Sequence, residues 1–264
     1  MFPILRSIAV FNQKGGVGKT TTSVNVCAAL TANGAKVMLI DLDPQAHATL
    51  HFGIEPRAEF DSVYDVLTGN RKIADVRKQI TDNLYLVPSH LDLSAADVEL
   101  AGIIGREMIL RDKLEKDDLK FDYLFIDCPP TLGLLTINAL TAVEEVFIPI
   151  QPHYLALHGL SKLLETVDLV SRRLNPRLRV SGVMFCMYDG QTSLAKEVTE
   201  DVGAFFQKEN TRPAWADVRI FQTRVRRNIK LAEAPSFGQS IFDYEPASNG
   251  ADDYKLLAEE IAGM

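Results

Sequence analysis

The run NQKGGVGKTT at residues 12–21 constrains the fold of this chain more than any other feature. It follows a β-branched, apolar stretch and leads into a stretch whose apolar residues have helical spacing. Its three glycines allow the backbone to bring several N–H groups close to an anion. The helix that follows adds the partial positive charge of its N-terminus at the same point. The sequence therefore predicts a strand, a phosphate-binding loop and a helix, in that order.

The side chains of this run fit a nucleotide bound with a metal ion. Lys19 is expected to reach the terminal phosphates, and the Thr20 hydroxyl to coordinate Mg²⁺. The loop is a variant of the usual pattern, because Gln13 stands where a glycine is expected and Lys14 adds a second lysine. The alternative, a glycine-rich turn that binds nothing, is disfavoured by the order of strand, loop and helix. The predicted nucleotide-binding residues of the loop are Lys14, Gly15, Gly16, Val17, Gly18, Lys19, Thr20 and Thr21.

Two aspartates follow apolar runs that are predicted to be strands. Asp43 lies in the segment DLDPQ, and Asp127 closes the segment YLFID. Acidic residues at the carboxyl ends of parallel strands face the crevice in which ligands bind. Asp127 therefore fits the carboxylate that holds Mg²⁺ through water, and Asp43 fits the residue that orients the attacking water. The alternative is that either aspartate caps the N-terminus of a helix, a role that Pro44 after Asp43 would suit.

Short β-branched runs alternate with helix-period segments along the whole chain. This alternation predicts an α/β fold, a doubly wound and mostly parallel sheet with helices on both faces. A single domain over residues 1–264 is expected, because no linker or repeat interrupts the pattern. Residues 52–82 are polar and irregular, as in an elaboration on the sheet, and the last helix carries one apolar stripe. The predicted strands are residues 7–12, 36–41, 84–88, 123–127, 145–150, 180–187 and 218–221.

Composition excludes several classes of protein. The 264 residues are 47% hydrophobic and 24% charged, which excludes disordered, collagen-like and coiled-coil chains. No apolar run reaches the length of a membrane span and no signal peptide is evident, so a cytoplasmic location is expected. Cys27, Cys128 and Cys186 lack metal-binding or disulfide spacing and are expected to be reduced core thiols. His47 and His51 have a spacing that can bind zinc, but no third ligand is evident.

The segments KGGVGKTTT, DLDPQ and FIDCPP together resemble the deviant Walker-A ATPases of the ParA/Soj/MinD group. The resemblance continues through residues 132–140, 148–160 and 226–254, and the last of these segments is similar to ParA/Soj proteins in particular. It thus covers nearly the whole chain. The resemblance implies a doubly wound parallel sheet, ATP and Mg²⁺ as cofactors, and a homodimer that encloses ATP between its subunits.

The resemblance also implies roles for single residues. Lys14 is expected to cross the dimer interface to the partner's phosphates, and Asp43 to be the hydrolytic aspartate. Asn228 and Pro235 fall in the segment that surrounds the adenine. The expected catalytic residues are Asp43, Lys14 and Lys19, and the expected metal site consists of Thr20 and Asp127.

A basic stretch stands out in a chain whose net charge is −7. Residues 203–230 hold seven basic side chains against two acidic ones, the local excess expected for contacts to a phosphate backbone. The alternative is a solvated face whose arginines pair with carboxylates. The ParA/Soj resemblance favours DNA binding without sequence preference. The predicted DNA-binding residues are Arg224, Arg226 and Arg227.

The function implied is that of a ParA/Soj-like ATPase that segregates chromosomal or plasmid DNA through an ATP-dependent dimer. Its turnover is expected to be slow alone and stimulated by a ParB-like protein, and the protein to be nucleoid-associated. The acidic C-terminal helix lacks the basic face of a membrane anchor, so no membrane partner is expected. The alternatives are an ATPase that positions a protein cargo, a metabolic ATP-dependent enzyme on the same scaffold, and a structural DNA-coating protein.

Overall fold

The computed structural model of the protein describes residues 4–116, 120–209 and 212–264. The strands in these ranges form one sheet in the order β3-β4-β2-β5-β1-β6-β7-β8, parallel except for the antiparallel pair β3 and β4. The strands are β1 Ile4–Val10, β2 Val37–Asp41, β3 Lys78–Gln79, β4 Leu84–Val87, β5 Phe121–Asp127, β6 Glu145–Ile150, β7 Arg179–Tyr188 and β8 Arg219–Arg226.

Helices connect the strands and cover both faces of the sheet, which confirms the predicted fold class. Short 3₁₀ turns stand at Leu91–Ala95, Arg106–Met108, Pro213–Trp215 and Ala234–Phe237. The α-helices are α1 Lys19–Ala32, α2 His47–His51, α3 Val63–Thr68, α4 Ile73–Val76, α5 Ala96–Glu99, α6 Ile109–Glu115, α7 Leu134–Ala142, α8 Ala156–Arg173, α9 Ser193–Lys208, α10 Ile229–Glu233, α11 Ile241–Tyr244 and α12 Asn249–Ala262. None of the helices within the described ranges has the length and apolar character needed to cross a membrane.

Each face of the sheet has its own hydrophobic core. On one face, Leu30 of α1 and Leu257 of α12 are buried against β-strand residues such as Phe125. On the other face, Leu140 of α7 and Leu163 of α8 pack with the opposite side chains of the strands. Strands covered on both sides bury every residue, which explains why the central strands appear in the sequence as continuous apolar runs.

The seven predicted strands are all present, with shifted ends. The largest difference is β8, which was expected to end at Phe221 and continues to Arg226. Its second half alternates polar and buried residues because it is an edge strand, and Glu260 of α12 accepts hydrogen bonds from the N–H groups of Gln222 and Thr223. A strand that is polar on its open side lacks the apolar run on which the prediction depended.

The polar segment 52–82 contains α3, α4 and the strand β3, which the sequence did not predict. Lys78 pairs with Leu86, and Gln79 with Tyr85, so β3 extends the sheet by one short antiparallel strand. Both β3 residues are exposed, and a strand of two exposed residues has no hydrophobic pattern to predict it. The segment is an elaboration on the edge of the sheet, as expected.

The strand order places a crevice at the centre of the carboxyl edge. From β1 the chain runs to β2 and β4 on one side, returns as β5, and then continues on the other side as β6, β7 and β8. Ligands in open α/β sheets bind where the order reverses in this way. The loop after β1 and the carboxyl ends of β2 and β5 meet at this point.

Candidate nucleotide site

The loop between β1 and α1 has an open backbone that is shaped to approach a ligand closely. Gly16 and Gly18 have φ angles of +72° and +93°, the left-handed region that glycine tolerates best. A Cβ on Gly15 or Gly16 would meet no other atom within 4 Å, so the loop faces open space there. Lys19 is the first residue of α1, and the helix N-terminus therefore points into the same space.

The two lysines of the loop lie in different environments. Lys19 is buried, its Nζ donates to the carbonyl oxygen of Lys14 at 3.2 Å, and burial lowers the pKa of its ammonium. Such an ammonium lacks water and gains from an anion placed beside it. Lys14 is exposed at the rim of the crevice, and its Nζ contacts Nε2 of His153. The geometry therefore assigns one lysine to the inside of the site and the other to its outer edge.

Asp127 ends β5 directly beneath the first turn of α1. Its carboxylate accepts hydrogen bonds from Oγ1 of Thr20 at 2.7 Å and from Oγ of Ser23 at 2.9 Å. Burial raises the pKa of Asp127 to about 6, although these two hydrogen bonds and the charge of Lys19 oppose the shift. The predicted metal residues Thr20 and Asp127 are thus in direct contact, and Ser23 is a further partner that the sequence did not reveal.

Asp41 is a second fully buried carboxyl group at this edge, and the sequence analysis gave it no role. It pairs in register with Asp127 across β2 and β5, and burial together with the charge of Asp127 raises its pKa to about 7. It accepts hydrogen bonds from Thr49 N at 2.8 Å, Thr49 Oγ1 at 2.7 Å and Asp43 N at 3.2 Å. Asp41 therefore fixes the turn that carries Asp43.

Asp43 itself is buried next to this group. Its Oδ1 accepts a hydrogen bond from Gln45 N at 2.9 Å, and Ser89 Oγ donates to its carbonyl oxygen at 2.8 Å. The helix-capping alternative is wrong for both predicted aspartates, because α2 is capped by Ala46 and α7 by Gly133. Neither carboxylate therefore serves as the N-cap of the helix that follows its strand.

The charge balance of the crevice fits a metal ion bound with a phosphate. Asp41, Asp43 and Asp127 place three carboxyl groups in a buried region that contains one buried ammonium, that of Lys19. Within the described ranges, no three His, Cys, Asp or Glu side chains are arranged to hold a metal ion by themselves. The donors present, a hydroxyl and carboxylates, are those that Mg²⁺ prefers, and its remaining ligands must come from phosphate and water.

The predicted adenine residues line the space beside the loop. Asn228 lines a cavity of about 680 Å³ together with the glycine loop and Asp43. Its Oδ1 accepts a hydrogen bond from Lys230 N at 2.9 Å and caps α10, which leaves its amide nitrogen for other contacts. Pro235 lines a neighbouring cavity of about 800 Å³, and the two cavities share Thr20 and Thr21.

The three predicted DNA-binding arginines lie at the end of β8 and have different surroundings. Arg226 forms a bidentate ion pair with Asp253 of α12, with contacts of 2.7–3.1 Å. Arg224 is half-buried, with its guanidinium 4.9 Å from the ring centre of Phe185. Arg227 is exposed, and in the described structure its side chain has no ion pair or hydrogen bond.

The rest of the basic stretch does not form a single face. Arg212 pairs with Asp168 at 3.1 Å and Lys230 with Glu233 at 2.9 Å. Arg219 begins β8 and Arg226 ends it, immediately before Arg227. The seven steps between them, at about 3.3 Å each, separate Arg219 from Arg226 by roughly 23 Å. The excess of positive charge counted along the chain is therefore partly neutralised and is spread over two edges of the sheet.

The three cysteines are buried, and the two histidines that follow Asp43 differ in exposure. Cys27, Cys128 and Cys186 are free thiols in the core, as expected. His51 is buried, and desolvation lowers its pKa to about 4, whereas His47 is exposed. The two histidines therefore lie in different environments.

Comparisons with known proteins identify the family of this chain. A family model described as an AAA domain matches residues 5–180. The sporulation initiation inhibitor protein Soj of Bacillus subtilis is 46% identical over 97% of both chains, and the chromosome partitioning protein ParA of Myxococcus xanthus is 41% identical over 97% of this chain and 87% of its own. The chain belongs to the ParA/Soj family of partitioning ATPases. The predicted family and fold are thus confirmed.

A solved structure with the same fold shows which ligands are bound by a similar protein. The cobyrinic acid a,c-diamide synthase of Mycobacterium smegmatis, with bound ADP and magnesium, is 33% identical, with a TM-score of 0.82 over 98% of this chain and 94% of its own. The predicted cofactors of this ParA/Soj chain, ATP and Mg²⁺, agree with the nucleotide and metal bound in that relative.

Proposed function

We propose that this protein is an ATP-driven switch that dimerises on ATP, binds DNA without sequence preference and segregates it. The observation that carries the proposal is that the two lysines of one loop lie in different places, one inside the site and one at its rim. Lys19 is buried beneath the phosphate position, whereas Lys14 is exposed at the rim, from which it can reach a second copy of the chain. A loop that served only its own nucleotide would need no lysine directed away from it.

The cofactors are ATP and Mg²⁺, and the reaction yields ADP and phosphate. Thr20 and Asp127 would hold the metal ion, which when bound neutralises charge that develops on the phosphates. Lys19 offsets the charge of the terminal phosphates from inside the site. Asp43 is held in place by the N–H of Gln45 and orients the water that attacks the γ-phosphate.

Dimerisation at the carboxyl edge is supported by apolar side chains around the crevice. Three exposed apolar side chains follow the carboxyl ends of β4, β5 and β6, namely those of Leu91, Leu132 and Tyr154. Exposed apolar groups that surround a polar site are typical of an interaction surface. A second copy seated on this edge would bury them and bring its Lys14 to the first copy's phosphates.

DNA binding would then depend on the dimer. Of the three predicted arginines, Arg227 is the one that is both exposed and without an ion pair, so a monomer makes few phosphate contacts and a dimer twice as many. The contribution of Arg226 is reduced by its pairing with Asp253, and that of Arg224 by its packing on Phe185. Turnover is expected to be slow until a ParB-like protein completes the site, and the DNA-bound dimer is expected on the nucleoid.

The test is retention on nonspecific duplex DNA with ATP, with ADP and without nucleotide. Wild-type protein should be retained with ATP at low salt, and retention should fall steeply as salt rises. Arg227→Glu should remove at least two phosphate contacts per dimer and lower the log–log salt slope by about 2. Arg219→Glu makes the same change of charge at the other end of β8 and serves as the control for charge. ATP affinity is measured for both variants, because Arg227 also lines the cavity beside the glycine loop.

The outcomes separate the proposal from its alternatives. Absence of ATP-enhanced retention in the wild type would refute DNA segregation and favour a metabolic ATP-dependent enzyme, which the likeness to the Mycobacterium smegmatis synthase makes the second candidate. Equal losses in Arg227→Glu and Arg219→Glu would reject Arg227 as the contact. Light scattering of Lys14→Ala with a nonhydrolysable ATP analogue tests the interface, because this variant should bind nucleotide and stay monomeric.

A further inference from the structure

Lys14 is not a free side chain in the single copy of the protein. Its ammonium contacts Nε2 of His153, in the segment that connects β6 to α8. The two segments are tied together at their base, because Asn12 Nδ2 donates to the carbonyl oxygen of Pro149 at 2.8 Å. The Oδ1 of the same Asn12 accepts a hydrogen bond from Lys14 N at 3.0 Å. The contact is therefore built on a fixed separation of two loops and not on the reach of one flexible side chain.

The imidazole of His153 lies between two hydrogen-bond donors but, when neutral, offers a single acceptor nitrogen. Lys14 Nζ lies at its Nε2, and Leu155 N lies 3.1 Å from its Nδ1. A neutral imidazole accepts through only one ring nitrogen, so the two donors compete for the ring. When Lys14 leaves, the other tautomer can accept from Leu155 N. The ring keeps one hydrogen bond in either state, which lowers the cost of releasing the lysine.

Positive charge on the ring would expel Lys14. Partial burial and the charge of Lys14 lower the pKa of His153, which keeps the ring neutral near pH 7. In the described ranges, Lys14 is the charged group that contacts the ring from another element. The titratable neighbours on its own loop and helix, Tyr154 and His158, make no hydrogen bond to it. The holding contact thus depends on one lysine and one neutral imidazole.

We propose that His153 is a positioning residue for Lys14, holding its ammonium on its own subunit until a second copy of the chain takes it across the interface. The inference rests on the interface role proposed above for Lys14. His153 then sets part of the free energy of ATP-dependent dimerisation, because each subunit must give up one contact when the dimer forms. It also couples dimerisation to pH, since a ring that has lost its lysine neighbour binds a proton more readily.

The direction of the pH effect follows from linkage. The pKa of His153 is lower in the monomer, where Lys14 is near, than in the dimer, where Lys14 has moved away. Dimerisation therefore takes up protons, and falling pH favours the dimer. An exposed contact of this kind is weak, and two are lost per dimer, so its removal should tighten the dimer about tenfold, which corresponds to about 1.4 kcal/mol for the pair.

The experiment measures the dimer dissociation constant by sedimentation velocity with a nonhydrolysable ATP analogue. His153→Phe removes the acceptor and should tighten the dimer about tenfold at pH 7.5. His153→Gln keeps a neutral acceptor that does not titrate, and should match the wild type at pH 7.5. Between pH 7.5 and pH 5.5 the wild-type dimer should tighten several-fold more than that of His153→Gln. A His153→Phe dimer no tighter than the wild type, or equal pH profiles for wild type and His153→Gln, would overturn the inference.

A second measurement keeps the inference separate from the proposed function. In nucleotide-free protein, the His153 ring can be titrated by NMR, and Lys14→Gln should raise its midpoint because a positive neighbour is removed. An unchanged midpoint would refute the contact even if the wild type dimerises normally. Failure of the wild type to dimerise, with the midpoint shift present, would instead reject the interface role of Lys14.

Discussion

Neutralising Asp127 should stabilise the nucleotide-free protein near neutral pH, although it removes a predicted metal ligand. Burial raises the pKa of Asp127 to about 6, and the pKa of an unfolded aspartate is about 4. Between about pH 4 and about pH 6, Asp127 is therefore protonated in the folded state and ionised in the unfolded state. Stability is lost as pH rises from about 4 to about 6, and the loss reaches about 3 kcal/mol, from two pKa units at 1.36 kcal/mol each.

Asp127→Asn tests this cost with little change of shape. The amide oxygen can accept from Ser23 Oγ, and the amide nitrogen can donate to Thr20 Oγ1, so both neighbours keep a partner. Urea unfolding without nucleotide should give a free energy of unfolding about 3 kcal/mol higher than that of the wild type at pH 7.5. At pH 4.5 the difference should fall to about 1 kcal/mol, because Asp127 is then protonated in the folded wild type and only its ionisation in the unfolded chain still contributes.

The comparison between variant and wild type is needed because another buried group has the opposite effect. Burial lowers the pKa of His51 to about 4, whereas the pKa of an unfolded histidine is about 6.5. Between these two pH values the unfolded chain binds a proton at His51 and the folded chain does not. His51 therefore lowers stability as pH falls from about 6.5 to about 4. Its contribution cancels between the two proteins. A variant less stable than the wild type at pH 7.5, or a difference independent of pH, would refute the reasoning.

Three further changes test single parts of the structure. Lys19→Ala should weaken ATP binding about 100-fold in calorimetry, because the phosphates lose their buried charge-assisted donor; near-wild-type affinity would reject the assignment. Asp43→Ala should leave ATP binding largely intact and lower phosphate release about 100-fold or more, and unchanged turnover would transfer the role of orienting water to another residue. In β7, Gly182→Ala places a Cβ 2.5 Å from the ring of Phe221 in β8 and should lower the free energy of unfolding in urea by about 1–3 kcal/mol. Gly203→Ala on α9, where a Cβ meets nothing within 4 Å, should instead be neutral or stabilising, and equal losses in both would contradict the packing argument.

Much of the fold and the chemical identity of the site follow from the sequence. The glycine loop, the central strands and the apolar stripe of α12 are local patterns, in which neighbours along the chain determine the backbone and the face that is buried. Asp127 was predictable because it closes an apolar run that can only be a buried strand. The edge strands β3 and β8 were missed or shortened, because a strand with a polar open side has no such run.

What the sequence could not determine is which charges meet. Asp41 and Asp127 interact only because β2 and β5 are neighbours in the sheet, although β3 and β4 lie between them along the chain. Arg226 contributes to the basic stretch in the sequence, and the folding of α12 onto β8 pairs it with Asp253. Electrostatic interactions depend on distance in space and on burial, and neither quantity is encoded in the spacing of residues along the chain. The sequence by itself therefore determined the kind of site, and the tertiary structure decided the protonation of its acids, the pairing of its arginines and the position of Lys14.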